Sequence, residues 1–290
     1  MSRLFCFGFG YSARRLAIKL KSEGWQIFAT VRSEEKCRAL KAEGIDSQIF
    51  DGSAKLESLD NLKNATHVLV STPPGVSGDP VYNLHCHDLT GMVDLAWIGY
   101  LSATSVYGDT GGLKVDETAF LGAETVRGKR RIQSEKAWLE SSLEFGLPVH
   151  IFRLAGIYGP GRNAIEQLRL GRARRGIKEG HLFSRIHVED IAGILKRSIA
   201  RPRIGAIYNV CDDEPAMSSD VIEFAAQLIG VEAPPSIPFT KGSLSEMARS
   251  FYSENRQIDN SLIKSELGVK LKYPHYRDGL RAIIGETSIP

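Results

Sequence analysis

Gly8-Phe9-Gly10-Tyr11-Ser12-Ala13 is a G-x-G-x-x-A set between an apolar run, Leu4–Phe7, and a stretch whose apolar residues recur at helical spacing. The pattern suits phosphate binding. Gly8 permits the tight turn, Gly10 lets main chain approach a diphosphate and Ala13 packs helix on sheet, while the helix mouth offers N–H groups and a positive dipole end. Gly8, Gly10, Tyr11, Ser12 and Ala13 are therefore expected to hold the diphosphate of a dinucleotide; the competing reading is an ordinary strand-to-helix turn. A second run ends at Thr30-Val31-Arg32-Ser33, with no carboxylate to accept the adenosine ribose hydroxyls of NAD. A guanidinium beside a hydroxyl suits a 2′-phosphate, so Arg32 and Ser33 predict NADP(H) over NAD(H). The alternative makes Arg32 a solvated charge and Ser33 a helix cap ahead of Glu34 and Glu35. Asp51-Gly52 is placed at the adenine, or is a plain turn. Thr72 and Pro73 open a rigid Thr72-Pro73-Pro74-Gly75 segment expected to wall the cleft.

Groups able to move protons are sparser. Ser102, Thr104 and Tyr107 cluster after one strand, and alternation predicts that Ser102 and Thr104 share a face. His85 and His87 lie on the preceding helix; two residues apart, they diverge, which argues against a shared metal. The arginine-rich run Arg169, Arg172, Arg174, Arg175, Lys178 reads first as an exposed helix end and second as a seat for a phosphate or carboxylate. No metal site is expected. Cys6, Cys37, Cys86 and Cys211 show no C-x-x-C spacing, which fits a reducing, cytoplasmic setting.

These residues need a scaffold. Leu4–Phe7, Trp25–Thr30, Ser47–Phe50, His67–Val70, Ile98–Ser102 and Val149–Phe152 read as buried strands, with a further strand at Ala206–Val210. Helical patterns separate the first six. Ala13, Leu16, Ala17 and Leu20 form one stripe; Ile132, Leu139 and Leu143 form another, with Arg131–Glu135 and Lys136–Glu140 as i,i+4 pairs on the wet side. Strands joined through helices require parallel pairing, so the fold class is α/β, a Rossmann doubly wound parallel sheet with a smaller C-terminal substrate lobe. The Rossmann domain is placed at 1–160 plus about 187–212, the lobe at 161–186 and 213–290. After Gly161, helices are expected near Val188–Ser198, Val221–Ile229, Ser243–Ser250 and Asn260–Leu267. Across 290 residues, 37 Lys+Arg against 34 Asp+Glu give only +3, too little to bind nucleic acid by bulk charge. No apolar run reaches the about 18 residues of a membrane span.

With these motifs in view, the chain resembles the extended short-chain dehydrogenase/reductase superfamily of the NAD-dependent epimerase/dehydratase type, nearer its atypical branch. The likeness is nearly full length. It rests on the glycine turn, Ser102-Ala103-Thr104-Ser105-Val106-Tyr107-Gly108, Arg153-Leu154-Ala155-Gly156-Ile157-Tyr158-Gly159-Pro160-Gly161-Arg162, Ile186-His187-Val188-Glu189-Asp190 and Tyr208-Asn209-Val210. The resemblance implies a nicotinamide cofactor, with Gly156 and Ile157 beside the nicotinamide, and a lobe that in the family often holds nucleotide-sugars. Family chemistry uses Ser or Thr with Tyr-x-x-x-Lys. Here alignment puts Ala103, Arg127 and Arg131 in those places, and a guanidinium stays protonated, so it cannot replace a phenolate base. Ser102, Thr104, Tyr107, Arg127 and Arg131 remain the catalytic candidates, with Arg131 as a donor to the ribose or an anion.

The expected function is an NAD(P)-binding oxidoreductase, epimerase/dehydratase-like, acting on a small anionic sugar or nucleotide-sugar through an unconventional proton relay. The alternative is a non-catalytic NADP(H)-binding sensor. The family likeness implies a homodimer; neither nucleic acid nor membrane is an expected partner.

Overall fold

The computed structural model describes residues 2–238 and 254–287. Its central sheet has seven strands: β1 (Arg3–Phe7), β2 (Gln26–Val31), β3 (Asp46–Ile49), β4 (His67–Val70), β5 (Trp97–Ala103), β6 (Val149–Leu154) and β7 (Ala206–Val210). Their spatial order is β7-β6-β5-β4-β1-β2-β3. β1 runs parallel to β2 on one side and β4 on the other, Phe5 standing level with Phe28 and with Val68. The chain thus winds outward in both directions from the β1/β4 boundary, the switch point where open α/β sheets leave a crevice. All seven strand patterns anticipated from the sequence form, although β3, expected to be buried, lies at the sheet edge with Asp46 and Ile49 exposed. β1, β4 and β5 are buried along nearly their whole length, as a sheet covered on both faces requires.

The long helix Val126–Phe145 corrects the expected packing in part: Leu139 does pack against the core and Ile132 is half-buried. Leu143 is 89% exposed, while Ser134, Glu135, Trp138, Ser141 and Ser142 turn inward. Nor do Arg131 and Glu135 pair on the wet side. Glu135, 1% exposed, takes Arg153 of β6 in a two-pronged ion pair, Nη2 to Oε2 at 2.8 Å and Nε to Oε2 at 3.1 Å. Ser102 of β5 donates its hydroxyl to the same carboxylate. A serine-lined face lets the backbones approach, and the arginine makes the buried acid tolerable. Lys136–Glu140 does form, at 3.7 Å.

Two compact units partition the described residues, the first comprising 2–103, 126–153 and 191–208. The second comprises 104–125, 154–190 and the described part of 209–287. It contains short parallel strand pairs, Gly156–Tyr158 with Arg185–His187 and Arg175–Ile177 with Ser236–Pro238. Its apolar centre joins Tyr158, Ile165, Val221, Tyr276, Leu280 and Ile283. Helices form at Val188–Ala200, Ser218–Leu228 and Ser261–Ser265, close to expectation, whereas the pattern at Ser243–Ser250 lies outside the described residues.

Two outcomes follow. Glu135→Ala leaves the Arg153 guanidinium buried without its counter-charge and is expected to cost about 3–5 kcal/mol, most of it recovered by Glu135→Leu with Arg153→Met. Trp25, Trp97 and Trp138 all lie in the first unit, so tryptophan emission during urea unfolding reads this loss directly. An unchanged midpoint in the alanine variant would remove the pair's structural role. His67, 9% exposed beside Trp25 and Trp97, is lowered by burial from 6.5 to about 4. The unfolded chain therefore takes up this proton first, so the contribution is complete above pH 6.5 and is lost as pH falls toward 4. His67→Gln should flatten that slope in the same assay.

Candidate functional site

At the switch point a cavity of about 320 Å³ is lined entirely by first-unit residues, among them Gly8, Gly10, Thr30, Asp51, Thr72 and Pro73. Thr30 pins the glycine turn twice: its hydroxyl accepts the Gly8 N–H at 2.8 Å and its carbonyl accepts the Phe9 N–H at 3.0 Å. Gly8 has φ +82°, and a Cβ there would stand 3.0 Å from Ser71 Oγ and 3.2 Å from Thr72 Cγ2. Glycine is required on both counts. Gly10 differs: it caps the Tyr11–Lys21 helix in an extended conformation, and a Cβ on it would meet no atom within 4 Å. That helix begins without a side-chain cap or an acid in its first turn, and Ser12 and Ala13 are buried against the sheet. Thr72 Oγ1 is buried with no hydrogen-bond partner. A glycine cradle, an uncapped helix start and an orphaned hydroxyl fit the diphosphate of a dinucleotide.

The far end of the cavity carries charge. Arg32 and Lys36, both exposed, line it and make no ion pair among the described residues. Lys36 escaped the sequence reading, although it stands three residues beyond Ser33 and hence on the same helical face. Ser33 occupies the N-cap of Glu34–Ala42, but its hydroxyl makes no capping bond. Ser33 thus takes the helix-start position of the alternative reading, ahead of Glu34 and Glu35, without the side-chain bond. Asp51 accepts from the Ser53 N–H at 2.9 Å and its hydroxyl at 2.7 Å, which hold its carboxyl below the ordinary range. Gly52, at φ +88°, brings this turn under Pro80.

The catalytic candidates are scattered. Ser102 is spent on Glu135. Arg131 reaches inward from the long helix, donating to the Leu101 carbonyl and, at 3.3 Å, to the Tyr100 hydroxyl. Burial outweighs that cation and pushes the Tyr100 phenol up to about 12. Arg127 is exposed. Thr104 does not continue β5 but opens a 3-10 turn, Thr104–Tyr107, so the expected shared face with Ser102 is absent. In the second unit Tyr107 donates to Asn209 Oδ1 at 2.7 Å, while Gly156 and Ile157 sit in their short strand pair. The Tyr82, Tyr158 and Tyr276 phenols are also raised by burial. None of these is primed as a base. His85 is wholly buried, its Nε2 accepting the Leu56 N–H at 3.2 Å, which leaves Nδ1 protonated toward Asp88 at 2.9 Å. It is a structural histidine, and His87 is exposed. No group of three metal-ligating side chains occurs among the described residues.

Gly10→Val separates binding from folding. A Cβ at this position meets no protein atom within 4 Å, so thermal stability should be nearly unchanged, while the added methyls enter the cavity at the helix mouth. A loss of at least about tenfold in NADPH affinity is expected by fluorescence titration, a cost of about 1.4 kcal/mol or more. Undiminished binding would place the dinucleotide elsewhere.

No family model matches the chain. It is 47% identical to a functionally unknown conserved protein from Silicibacter pomeroyi DSS, each chain covered to 99%, with a TM-score of 0.91. MoeE5 in complex with UDP-glucuronic acid and NAD superposes with a TM-score of 0.81 at 19% identity, 99% of each chain being covered. dTDP-glucose 4,6-dehydratase from Bacillus anthracis str. Ames, in complex with NAD, gives 0.77 at 15% identity over 100% of this chain and 98% of the other. These two likenesses show that the chain shares the fold of these proteins. Protein YeeZ of Escherichia coli (strain K12) is 30% identical over 94% of this chain and 97% of its own length, and the chain belongs to its family.

Proposed function

We propose that this protein binds NADP(H) in the Gly8–Thr72 cavity and acts as an oxidoreductase of the epimerase/dehydratase kind on a small anionic sugar or nucleotide-sugar. The observation that carries the cofactor choice is the pairing of Arg32 with Lys36 at the end of β2. Two cations against Asp51 leave a net single positive charge there, and charge-assisted bonds to a 2′-phosphate are strong. Bound in this way, the cofactor would supply a hydride acceptor or donor. The substrate class is supported by the nucleotide-sugars carried by proteins of this fold, such as UDP-glucuronic acid in MoeE5. A cytoplasmic, homodimeric protein fits the same reading.

A second reading, a dinucleotide-binding sensor without turnover, is favoured by one observation. The Ser102 hydroxyl, beside the Ala103 that the family resemblance aligns with the usual hydroxyl, as it aligns Arg127 and Arg131 with the usual phenol and amine, is committed to Glu135.

Arg32→Asp and Lys36→Glu should each weaken NADPH about 10- to 100-fold, the worth of a charge-assisted bond, and NADH far less. Equal losses for both nucleotides would remove the phosphate assignment. With NADPH bound, a panel of sugars and nucleotide-sugars is followed by product analysis as well as nicotinamide absorbance, because an epimerase regenerates its cofactor. Conversion of a panel member supports the enzyme; binding with no product from any member supports the sensor.

A further inference from the structure

The second unit holds a cavity of its own, about 250 Å³, whose lining residues all belong to that unit. Its walls come from the unit's apolar centre, with Tyr158, Val221, Tyr276 and Leu280 contributing. Its polar side is cationic: Arg172, Arg174 and Arg185 line it, and no acidic residue does. The arginine-rich run seen in the sequence is thereby sorted. Arg169 pairs with Glu166 at 3.1 Å and Arg175 with Glu223. Arg172 and Arg174 make no ion pair among the described residues and line the cavity, Arg174 also donating to the Ala173 carbonyl at 3.2 Å, and the next strand, Arg185–His187, adds Arg185.

Arg185 is held by neutral groups. Its Nη1 donates to the Phe183 and Ala216 carbonyls, both at 2.8 Å, and its Nη2 to Ser218 Oγ at 3.3 Å. A guanidinium has five N–H donors, so Nε–H and one Nη2–H are left over. The three bonds fix the fork in place without cancelling its charge. Asp212 and, more weakly, Asp220 are the carboxylates that interact with it electrostatically, and burial raises the Asp212 pKa to about 8, which reduces its negative charge near neutrality. A rigid, partly unused fork beside two further guanidinia and an apolar wall matches a planar or tetrahedral oxyanion borne on an apolar body.

We propose that this cavity is a binding site for a small organic anion, a carboxylate or phosphate carried on an apolar or aromatic group, separate from the dinucleotide site. The oxyanion sits among Arg172, Arg174 and Arg185, and the organic part lies against Tyr158 and Leu280. A water occupies roughly 30 Å³ of liquid, so the volume holds about eight waters, or a ligand of about ten non-hydrogen atoms. The site rests on none of the dinucleotide residues, so the two readings stand or fall separately.

Phenyl phosphate and benzoate are the probes, with inorganic phosphate as the bare anion, each titrated calorimetrically into the full chain with and without saturating NADPH. Expected is binding of phenyl phosphate or benzoate at least fivefold tighter than inorganic phosphate, persisting with NADPH present; which probe binds more tightly tells phosphate from carboxylate. Arg172→Ser with Arg174→Ser, both exposed, should weaken that binding at least fivefold and leave NADPH affinity unchanged. Arg197→Ser with Arg201→Ser, an equal loss of charge on the other unit, should not weaken it. Arg185→Met, checked for folding by circular dichroism, should abolish it. The proposal is overturned if neither organic probe binds, if inorganic phosphate binds as tightly, if NADPH displaces the probe, or if both double variants lose binding alike.

Discussion

The carboxylate of Glu135 is the point on which the first unit turns. It lies in the interior, where an unpaired charge is not tolerated, and it is answered from two strands at once: Arg153 on β6 with a pair of N–H bonds and Ser102 on β5 with a hydroxyl. Helix Val126–Phe145 is thereby tied to the sheet through charge as well as through the core packing of Trp138 and Leu139. Such a contact is weak as a source of stability but exacting in geometry, because any shift of the helix strands one ion without the other. It also leaves the Ser102 hydroxyl committed to Glu135.

Electrostatics divide the molecule's cations into two kinds. Many arginines and lysines are neutralised on the surface, as Arg14 is by Glu43 at 2.8 Å. Those that line the two cavities are not: Arg32 and Lys36 in one, Arg172 and Arg174 in the other. A chain with nearly balanced charge can still present local positive fields when its acids are placed elsewhere.

How much of this was legible beforehand depended on the range of the interaction. The strands were readable because a covered parallel sheet demands short, continuous apolar runs, and Leu4–Phe7 or His67–Val70 are such runs. The glycine turn was readable because its requirements are local, and Gly8 shows them in its φ of +82° and its contact with Ser71. The long helix was misjudged because periodicity counts apolar side chains and cannot see that Arg153, eighteen positions after Glu135, makes a buried acid acceptable. The expected Arg131–Glu135 pair failed for the same reason: each found a better partner across the fold. Lys36 and Arg185 were missed because their significance comes from neighbours brought close by tertiary structure.

Thr30 acts as an index mark. By gripping consecutive amides of the glycine turn with its side chain and its main chain, it ties the position of that turn to the register of β2. Arg32 follows two residues later, about 7 Å onward at the rise of an extended strand. The spacing between the glycine turn and the root of the Arg32 side chain is therefore measured out by backbone geometry. Exchanging Arg32 or Lys36 for another residue leaves the turn undisturbed, whereas a single inserted residue between Thr30 and Arg32 would throw the two out of step.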